Sequence, residues 1–213
     1  MIVTELSKGT KLYLLVGGRG TRLASVTKGK PKPLVDIQEQ SFLDIVLDNL
    51  SGFDVTLVCS DLNFDYFKDL GLDVINEGSP SGTGGFLQKV DLPESFYVMN
   101  GDTFFSGELN LDCDESTIFV AEEDVTHDVG YIRGEDGKVK FFVEKNPDAS
   151  GKELVSLGIY KLFKKDLDIP NKLPISMEYD ILPKMELSYK ILKTRRFDIG
   201  TPERLQTFKD WVC

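Results

Sequence analysis

Short apolar segments alternate with amphipathic segments along the first hundred residues, and this alternation constrains the fold more than any other feature. Residues 11–16, KLYLLV, form a continuous apolar run that ends at glycine, which is typical of a strand buried on both faces. Residues 41–50, SFLDIVLDNL, place apolar side chains at helical spacing behind a serine that is a candidate N-cap. The alternation continues with predicted strands at 54–59, 72–76 and 96–102 and predicted helices at 63–70 and 84–90. This order predicts a parallel sheet with right-handed crossovers, and ligands of such sheets bind beyond the carboxyl ends of the strands.

The second half of the chain has a different pattern. Several segments look like strands separated by turns, and the GEDGK sequence at 134–138 fits a hairpin connection. The predicted strands lie within 116–123, 130–146 and 153–162, and the predicted helices at 177–185 and 202–212. No linker, low-complexity run or internal repeat interrupts the sequence. We therefore expect one domain over residues 1–213, with an α/β fold of the Rossmann-like three-layer αβα type and a mixed, mostly parallel central sheet.

The charge balance and the cysteine content disfavour several classes of function. The formal net charge is −10, whereas binding to duplex nucleic acid needs a basic face, so we expect no nucleic acid partner. No apolar stretch reaches the roughly 20 residues of a membrane span, and residues 1–11 lack a signal peptide pattern, which predicts a cytoplasmic protein with no membrane partner. Cys59, Cys113 and Cys213 lack metal-binding spacing, and His127 is the sole histidine, so zinc clusters and Ser/His or Cys/His catalytic pairs are disfavoured.

Glycine and positive charge are concentrated directly after the first predicted strand, in the segment LLVGGRGTRLASVTKGKPKPL. This segment holds Gly17, Gly18, Gly20, Arg22, Lys28, Lys30 and Lys32. Glycines in such a turn allow positive φ and bring backbone N–H groups close to phosphate oxygens. The spacing matches neither the dinucleotide fingerprint nor the P-loop, so both are disfavoured. Because prolines on either side of Lys32 stiffen its backbone, Lys32 and Arg22 form a candidate phosphate site, although the glycines alone are also compatible with an ordinary turn.

This segment resembles the motif of the sugar-phosphate nucleotidylyltransferases, the pyrophosphorylases that make nucleotide sugars. Further pieces follow in the family's order, and they are SPSGTGG at 79–85, NGDTFF at 100–105, FFVEKN at 141–146, LGIY at 157–160, MEYDILPKM at 177–185 and FDIGTPE at 197–203. The resemblance covers about residues 11–208. The GTGG segment and the DIGTPERL ending are most similar to the branch that contains the D-glycero-D-manno-heptose 1-phosphate guanylyltransferases.

The resemblance implies a role for each matching position. Arg22, Lys32 and Asp102 would be the catalytic residues, and Asp102 would hold Mg²⁺ together with Asp198. The nucleotide would be bound by Gly17, Gly18, Arg19, Gly20, Thr21, Gly82 and Thr83. The sugar phosphate would be bound by Glu144, Lys145, Gly158 and Glu178. Ordinary structural roles are the alternatives: turn or helix caps for Asp102, Gly82 and Thr83, a helix entrance after Asp198, an exposed ion pair for Glu144 with Lys145, and a helix-dipole contact for Glu178.

The implied activity is transfer of a nucleoside monophosphate to a sugar 1-phosphate in a single GT-A-like domain, with release of pyrophosphate. GTP is the favoured donor and a mannoheptose 1-phosphate the favoured acceptor, with Mg²⁺ as cofactor. A cytidylyl-, uridylyl- or thymidylyltransferase acting on another sugar phosphate or small phosphate ester is the alternative within the class, and a non-catalytic nucleotide-sugar sensor is the alternative outside it. The expected assembly is a monomer or a small homo-oligomer.

Overall fold

A mixed β-sheet lies at the centre of the protein, and the connections between its strands carry the predicted site residues. The structure is a computed structural model that describes residues 9–18, 20–126, 129–144, 146–148 and 150–212. The predicted site residues Arg19 and Lys145, together with His127 and Cys213, lie outside the described residues. Within the described part of the chain, no helix has the length and apolar character needed to cross a membrane.

Strands and short helices follow one another along the described part of the chain. The strands are β1 (Thr10–Leu15), β2 (Asp36–Ile37), β3 (Gln40–Ser41), β4 (Phe53–Cys59), β5 (Asp73–Asn76), β6 (Ser95–Asn100), β7 (Thr103–Ser106), β8 (Thr117–Asp124), β9 (Tyr131–Glu135), β10 (Lys138–Val143), β11 (Lys152–Phe163), β12 (Ser188–Ile191) and β13 (Arg195–Asp198). The α-helices are α1 (Ala24–Thr27), α2 (Phe42–Asn49), α3 (Phe64–Phe67) and α4 (Pro202–Val212). Short 3-10 turns lie at Thr21–Leu23, Lys32–Leu34, Gly85–Gln88, Lys164–Asp166 and Leu182–Lys184, and a π turn lies at Met177–Ile181.

The first half of the chain forms the parallel arrangement that the sequence predicts. The strands lie in the order β5-β4-β1-β6, and β1 pairs in parallel with both β4 and β6. Leu15 at the end of β1 is the register partner of Asn100 at the end of β6. Because these strands end at the same edge, the glycine-rich turn after β1 and the NGD sequence after β6 are brought together there.

The second half of the chain adds mainly antiparallel pairings. The long strand β11 pairs antiparallel with β6, β8 and β9, and β8 continues through β12 and β10 back to β9. The prediction of a mostly parallel sheet is therefore wrong, although a mixed sheet is confirmed. The reason is local: the hairpin at Asp136 and Gly137 and the return of β11 along β6 both reverse the strand direction.

Both faces of the sheet are covered, but α-helices cover only one of them in the described residues and short 3-10 and π turns cover the other, so the predicted three-layer αβα arrangement is confirmed only in part. Alternate residues of β1 point to opposite faces, so Leu12 and Leu14 join one core cluster and Tyr13 joins another. The first cluster contains residues of α2 and α4, and the second contains the turns at Gly85–Gln88 and Met177–Ile181. The predicted N-cap of α2 is confirmed, since Ser41 Oγ accepts from the backbone N–H of Asp44 in a capping box.

Two predicted helices are wrong as α-helices, and five strands of the described residues have no counterpart in the prediction, namely β2, β3, β7, β12 and β13. Within residues 84–90 only a 3-10 turn forms, because two consecutive glycines have low α-helix propensity. Residues 177–185 form a π turn followed by a 3-10 turn that contains Pro183, which cannot donate a backbone hydrogen bond. The unpredicted strands β7 and β13 pair antiparallel and set Asp198 beside Thr103.

Candidate active site

The glycine-rich turn after β1 packs where side chains would not fit. A Cβ on Gly17 would lie 3.0 Å from Cys59 Cα, so the turn approaches the end of β4 closely. Gly20 has a φ of 60°, and a Cβ there would lie 3.1 Å from Lys32 Cγ. Gly18 precedes Arg19, which lies outside the described residues. Thr21 begins the 3-10 turn that carries Arg22. The backbone of the predicted phosphate-binding turn therefore packs closely against the Lys32 side chain at Gly20.

Lys32 and Asp102 form an ion pair at this edge of the sheet. Lys32 Nζ lies 3.2 Å from Asp102 Oδ2, and the two side chains are 14% and 34% exposed. Lys32 begins a short turn directly after Pro31, and Asp102 follows β6. The backbone at Asp102 is fixed because the N–H of Gly101 donates to the carbonyl of Leu15 at 3.0 Å. Such a partly buried pair is screened less than a surface pair.

Asp198 lies next to Asp102 through backbone pairing. Strand β13 pairs with β7, and the N–H of Ile199 donates to the carbonyl oxygen of Asp102 at 3.0 Å. Asp198 Oδ1 accepts from the N–H of Gly200 and from Arg204 Nη1, each at 3.1 Å. The structure therefore brings together the two aspartates that the sequence separates by almost half of the chain.

A first cavity of about 480 Å³ opens beside the glycine-rich turn. Its lining includes Gly17, Gly18, Arg22, Lys32, Glu77, Gly82, Thr83, Asn100, Asp102 and Glu178. Gly82 has a φ of 85°, and a Cβ there would overlap the carbonyl oxygen of Ile175. Thr83 Oγ1 accepts from the N–H of Met177 and donates to Glu178 Oε2, both at 2.8 Å. The segment predicted to bind nucleotide is therefore held against the turn that carries Glu178.

A second cavity of about 170 Å³ adjoins the first. Its lining includes Arg22, Asn100, Asp102, Glu144, Ser156, Gly158, Tyr160, Glu178, Arg196, Asp198 and Arg204. Arg22, Asn100, Asp102 and Glu178 line both cavities. Gly158 has a φ of 68°, and a Cβ there would overlap the amide of Asn100. Among the described residues, four of those predicted for the nucleotide line the first cavity, whereas Gly20 and Thr21 line neither cavity. Those predicted for the sugar phosphate line the second cavity, and they are Glu144, Gly158 and Glu178.

Several residues that line these cavities were missed by the sequence patterns. Glu77 is only 7% exposed and accepts from Ser81 Oγ. Arg196 and Arg204 line the second cavity, and Arg196 Nη2 lies 3.6 Å from Glu123 Oε2. Arg204 follows the FDIG motif within the same segment, so its position in the sequence could have been used to predict it as a site residue. Glu77 offers none, because only the fold places it beside the glycine-rich turn.

Neither cysteine in the described residues has the properties of a nucleophile. Cys59 is fully buried, and burial together with the Glu77 and Asp61 charges raises the pKa of its thiol to about 11. Burial also raises the pKa of Cys113. Both thiols are therefore protonated near neutral pH, as expected of structural cysteines.

The donor groups of the second cavity suit a magnesium ion that is completed by substrate. Among the described residues, no cluster of three or more His, Cys, Asp or Glu side chains could hold a metal ion alone. Asp102 and Asp198 supply hard carboxylate oxygens on one cavity wall. Mg²⁺ commonly uses one or two protein carboxylates and completes its octahedral shell with water and phosphate oxygens. The two aspartates therefore fit the predicted magnesium site.

Comparison with known proteins agrees with this geometry. Residues 12–108 match the family described as the MobA-like NTP transferase domain. The chain is 32% identical to a D-glycero-alpha-D-manno-heptose 1-phosphate guanylyltransferase of Campylobacter jejuni, over 89% of this chain and 94% of that protein. It is 30% identical to the mannose-1-phosphate guanylyltransferase catalytic subunit beta of Drosophila melanogaster, over 95% of this chain and 62% of that protein. The crystal structure of HddC from Yersinia pseudotuberculosis complexed with GMP-PN superposes with a TM-score of 0.78 at 29% identity, covering 96% of this chain and 100% of that one.

Proposed function

Because the chain belongs to the sugar-phosphate nucleotidylyltransferases among the MobA-like NTP transferases, we propose that it transfers the guanylyl group of GTP to a mannoheptose 1-phosphate. The class of the reaction follows from the family, since its members are nucleotidylyltransferases. The observation that supports the proposed arrangement is the pair of connected cavities, with Arg22 and Asp102 lining both. Such a site can hold donor and acceptor at once, with their phosphates on either side of Asp102.

The proposed reaction exchanges one phosphorus–oxygen bond for another. A phosphate oxygen of the sugar 1-phosphate attacks the α-phosphorus of GTP, and the bond to the β-phosphate breaks to release pyrophosphate. The nucleophile is already ionised, so the step needs little help from a general base. The main obstacle is repulsion, which for two unit charges at about 4 Å amounts to roughly 4 kcal/mol at an effective dielectric near 20.

The cations of the site would offset this repulsion and align the reactants. Lys32 would act on the phosphates in the first cavity, whereas Arg22 lines both cavities and would reach either substrate. Asp102 and Asp198 would hold Mg²⁺, which when bound would neutralise phosphate charge. The backbone N–H groups of the glycine-rich turn would bind the triphosphate oxygens.

Glu77 supports guanine as the base. It is a buried carboxylate in the lining of the first cavity, and its Oε2 is held by Ser81 Oγ. On its Watson–Crick edge guanine presents two adjacent donors, N1–H and N2–H₂, whereas uracil, thymine and cytosine each place an acceptor beside a donor. A carboxylate accepts both guanine donors with charge-assisted hydrogen bonds.

The second cavity supports an acceptor with several hydroxyl groups. Glu178 Oε2 is fixed by donors from Thr83 and Ser176 at 2.8 Å each, and Glu144 lies against Gly130, where a Cβ would overlap its Oε2. The Tyr160 hydroxyl lies 3.5 Å from Ser156 Oγ. Carboxylates suit sugar recognition because each oxygen accepts hydrogen bonds from hydroxyl groups. The relatives named for mannose 1-phosphate make that sugar phosphate the second candidate acceptor.

A matrix of donors and acceptors tests the proposal. Pyrophosphate release would be measured with GTP, CTP, UTP and dTTP, each against D-glycero-D-manno-heptose 1-phosphate, mannose 1-phosphate and glucose 1-phosphate with Mg²⁺. We expect GTP to exceed each pyrimidine triphosphate at least tenfold and the heptose to be the best acceptor. A pyrimidine donor as the best substrate would overturn the guanylyl assignment. If the protein binds a nucleotide but turns over no combination of donor and acceptor, the result would favour the non-catalytic nucleotide-sugar sensor.

A further inference from the structure

Arg204 is a cation of the second cavity that the family motifs did not assign. It lies in the first turn of α4, and its Nη1 donates to Asp198 Oδ1 at 3.1 Å. The Arg204 side chain is 32% exposed and the Asp198 side chain 20%. Arg204 lines the second cavity but is absent from the lining of the first. It therefore stands beside the space proposed for the acceptor.

Arg204 and Arg22 approach the same point next to Gly200. The position of a Cβ on Gly200 would lie 3.6 Å from Arg22 Nη2, 3.8 Å from Arg204 Nη1 and 3.0 Å from Asp198 Oδ1. Two guanidinium nitrogens that both lie within 4 Å of one point repel each other, and an anion at that point would offset the repulsion. Asp198 provides one negative charge, whereas a phosphate monoester provides up to two and several more acceptor oxygens. A phosphate at this point would therefore add charge-assisted hydrogen bonds to those that the Asp198 carboxylate provides.

Lys32 and Arg204 form equivalent ion pairs on the two sides of the site. Each forms an ion pair with one of the two aspartates that fit a metal, Lys32 with Asp102 at 3.2 Å and Arg204 with Asp198 at 3.1 Å. Lys32 lines only the first cavity and Arg204 only the second. A carboxylate that ligates a divalent cation binds a neighbouring guanidinium more weakly, because its charge is already neutralised.

We propose that Arg204 binds the phosphate of the acceptor, and that Asp198 holds it beside the second cavity until that carboxylate ligates a divalent cation. The proposal rests on the proposed function, since it takes Asp198 as a metal ligand and a sugar 1-phosphate as the acceptor. Arg204 thereby serves as a resting partner of Asp198 and as a binding residue for the second substrate.

Replacing Arg204 tests both parts of the proposal. In Arg204→Ala we expect the KM of the best sugar 1-phosphate to rise about ten- to a hundredfold, with the KM of GTP within twofold of the wild type. Without nucleotide or sugar, we expect the affinity for Mn²⁺, measured by electron paramagnetic resonance, to increase about three- to tenfold because a competitor for Asp198 is gone. Arg204→Lys should restore part of the acceptor affinity, since it keeps the charge without the planar fork.

Two further variants make the result decisive. Arg204→Gln keeps the aliphatic part and a polar end without the charge, and it serves if Arg204→Ala lowers the thermal unfolding temperature. Arg195→Ala removes the same charge from strand β13, but its guanidinium lies 4.6 Å over the Phe197 ring and outside both cavities, so it should leave both readouts unchanged. An acceptor KM within twofold of the wild type, or an unchanged Mn²⁺ affinity, would overturn the proposal. The Mn²⁺ measurement needs no turnover, so inactivity of the wild-type protein would reject the proposed function separately.

Discussion

Replacing Glu77 by glutamine should change the base preference of the protein. The carboxylate is buried at 7% exposure in the lining of the first cavity, so its hydrogen bonds are little screened by water. Glutamine has the same shape, and Ser81 Oγ, which donates to Glu77 Oε2, can donate equally to an amide oxygen. We therefore expect the fold to persist, with a thermal unfolding temperature within about 2 °C of the wild type, since the substitution creates no cavity and leaves no buried partner without its hydrogen bond.

The expected effect on GTP follows from the hydrogen bonds that are lost. A hydrogen bond to a charged group contributes roughly 1.5–3 kcal/mol. In Glu77→Gln, one carboxylate oxygen becomes an NH₂ group, so a donor would face a donor N–H of guanine. A loss of about 3–4 kcal/mol corresponds to roughly a hundred- to a thousandfold in kcat/KM for GTP. The same amide offers one donor and one acceptor, which matches the N3–H and C4=O groups of uracil. The ratio of kcat/KM for GTP to that for UTP should therefore fall at least a hundredfold.

Pyrophosphate release with GTP and UTP at a saturating sugar 1-phosphate measures this ratio. Asp61→Asn is the matched control, because it removes one negative charge near Cys59 but lies outside the cavity lining. That control should keep the GTP to UTP ratio within threefold of the wild type. If Glu77→Gln also keeps the ratio within threefold, Glu77 does not contact the base. An equal change in both variants would attribute the effect to net charge rather than to base recognition.

Other substitutions test the remaining parts of the site. Asp102→Ala should lower Mg²⁺-dependent turnover at least a hundredfold with an unchanged circular dichroism spectrum, and near-normal activity would exclude it as a metal ligand. Lys32→Ala should reduce kcat/KM tenfold or more in the same assay, whereas Lys30→Ala, an exposed cation of the same segment, should not; equal kinetics would remove Lys32 from the site. Gly82→Ala combines positive φ with overlap against Ile175 and should lower the melting temperature by roughly 6–12 °C, while Gly107→Ala, with positive φ but open space, should cost much less in calorimetry. Cys59, with a pKa of about 11, should resist iodoacetamide at pH 8 in the folded protein, where about a thousandth is thiolate, and peptide mapping that finds it alkylated would contradict its burial.

Local sequence patterns were sufficient to predict those strands, helix starts and turns that depend on a few neighbouring residues. The apolar run before Gly17 identifies β1, Ser41 identifies the start of α2, and Asp136 with Gly137 identifies the hairpin between β9 and β10. Each of these depends on residues that are neighbours in the chain. The family motifs predicted that Asp102 and Asp198 act together, and the structure shows that they are close. Their proximity depends on the pairing of β7 with β13, which no local hydrophobic period predicts.

Residues whose role depends on distant contacts were not found in this way. Glu77 follows β5, an edge strand whose sequence gives no reason to place a carboxylate beside the turn after β1. Its position follows from the parallel order β5-β4-β1, with its N–H donating to the carbonyl of Cys59 at 2.8 Å. The π turn at Met177–Ile181 was likewise missed, because its shape is fixed by Thr83 and Ser176, which bind the backbone at its start. Propensity alone cannot express such tertiary constraints.

The ion pairs explain how, under the proposed function, a chain with a net charge of −10 would present cations to phosphates. Unpaired lysine and arginine side chains in a partly buried cleft would repel one another, and unpaired aspartates would do the same. Pairing Lys32 with Asp102 and Arg204 with Asp198 removes both costs while leaving each charged group beside a cavity. In the proposed reaction, substrates that bring a divalent cation and several phosphate charges would exchange partners with these pairs, so no new charge would have to be desolvated alone. The acidic balance of the chain and its local positive charge are therefore compatible features of one site.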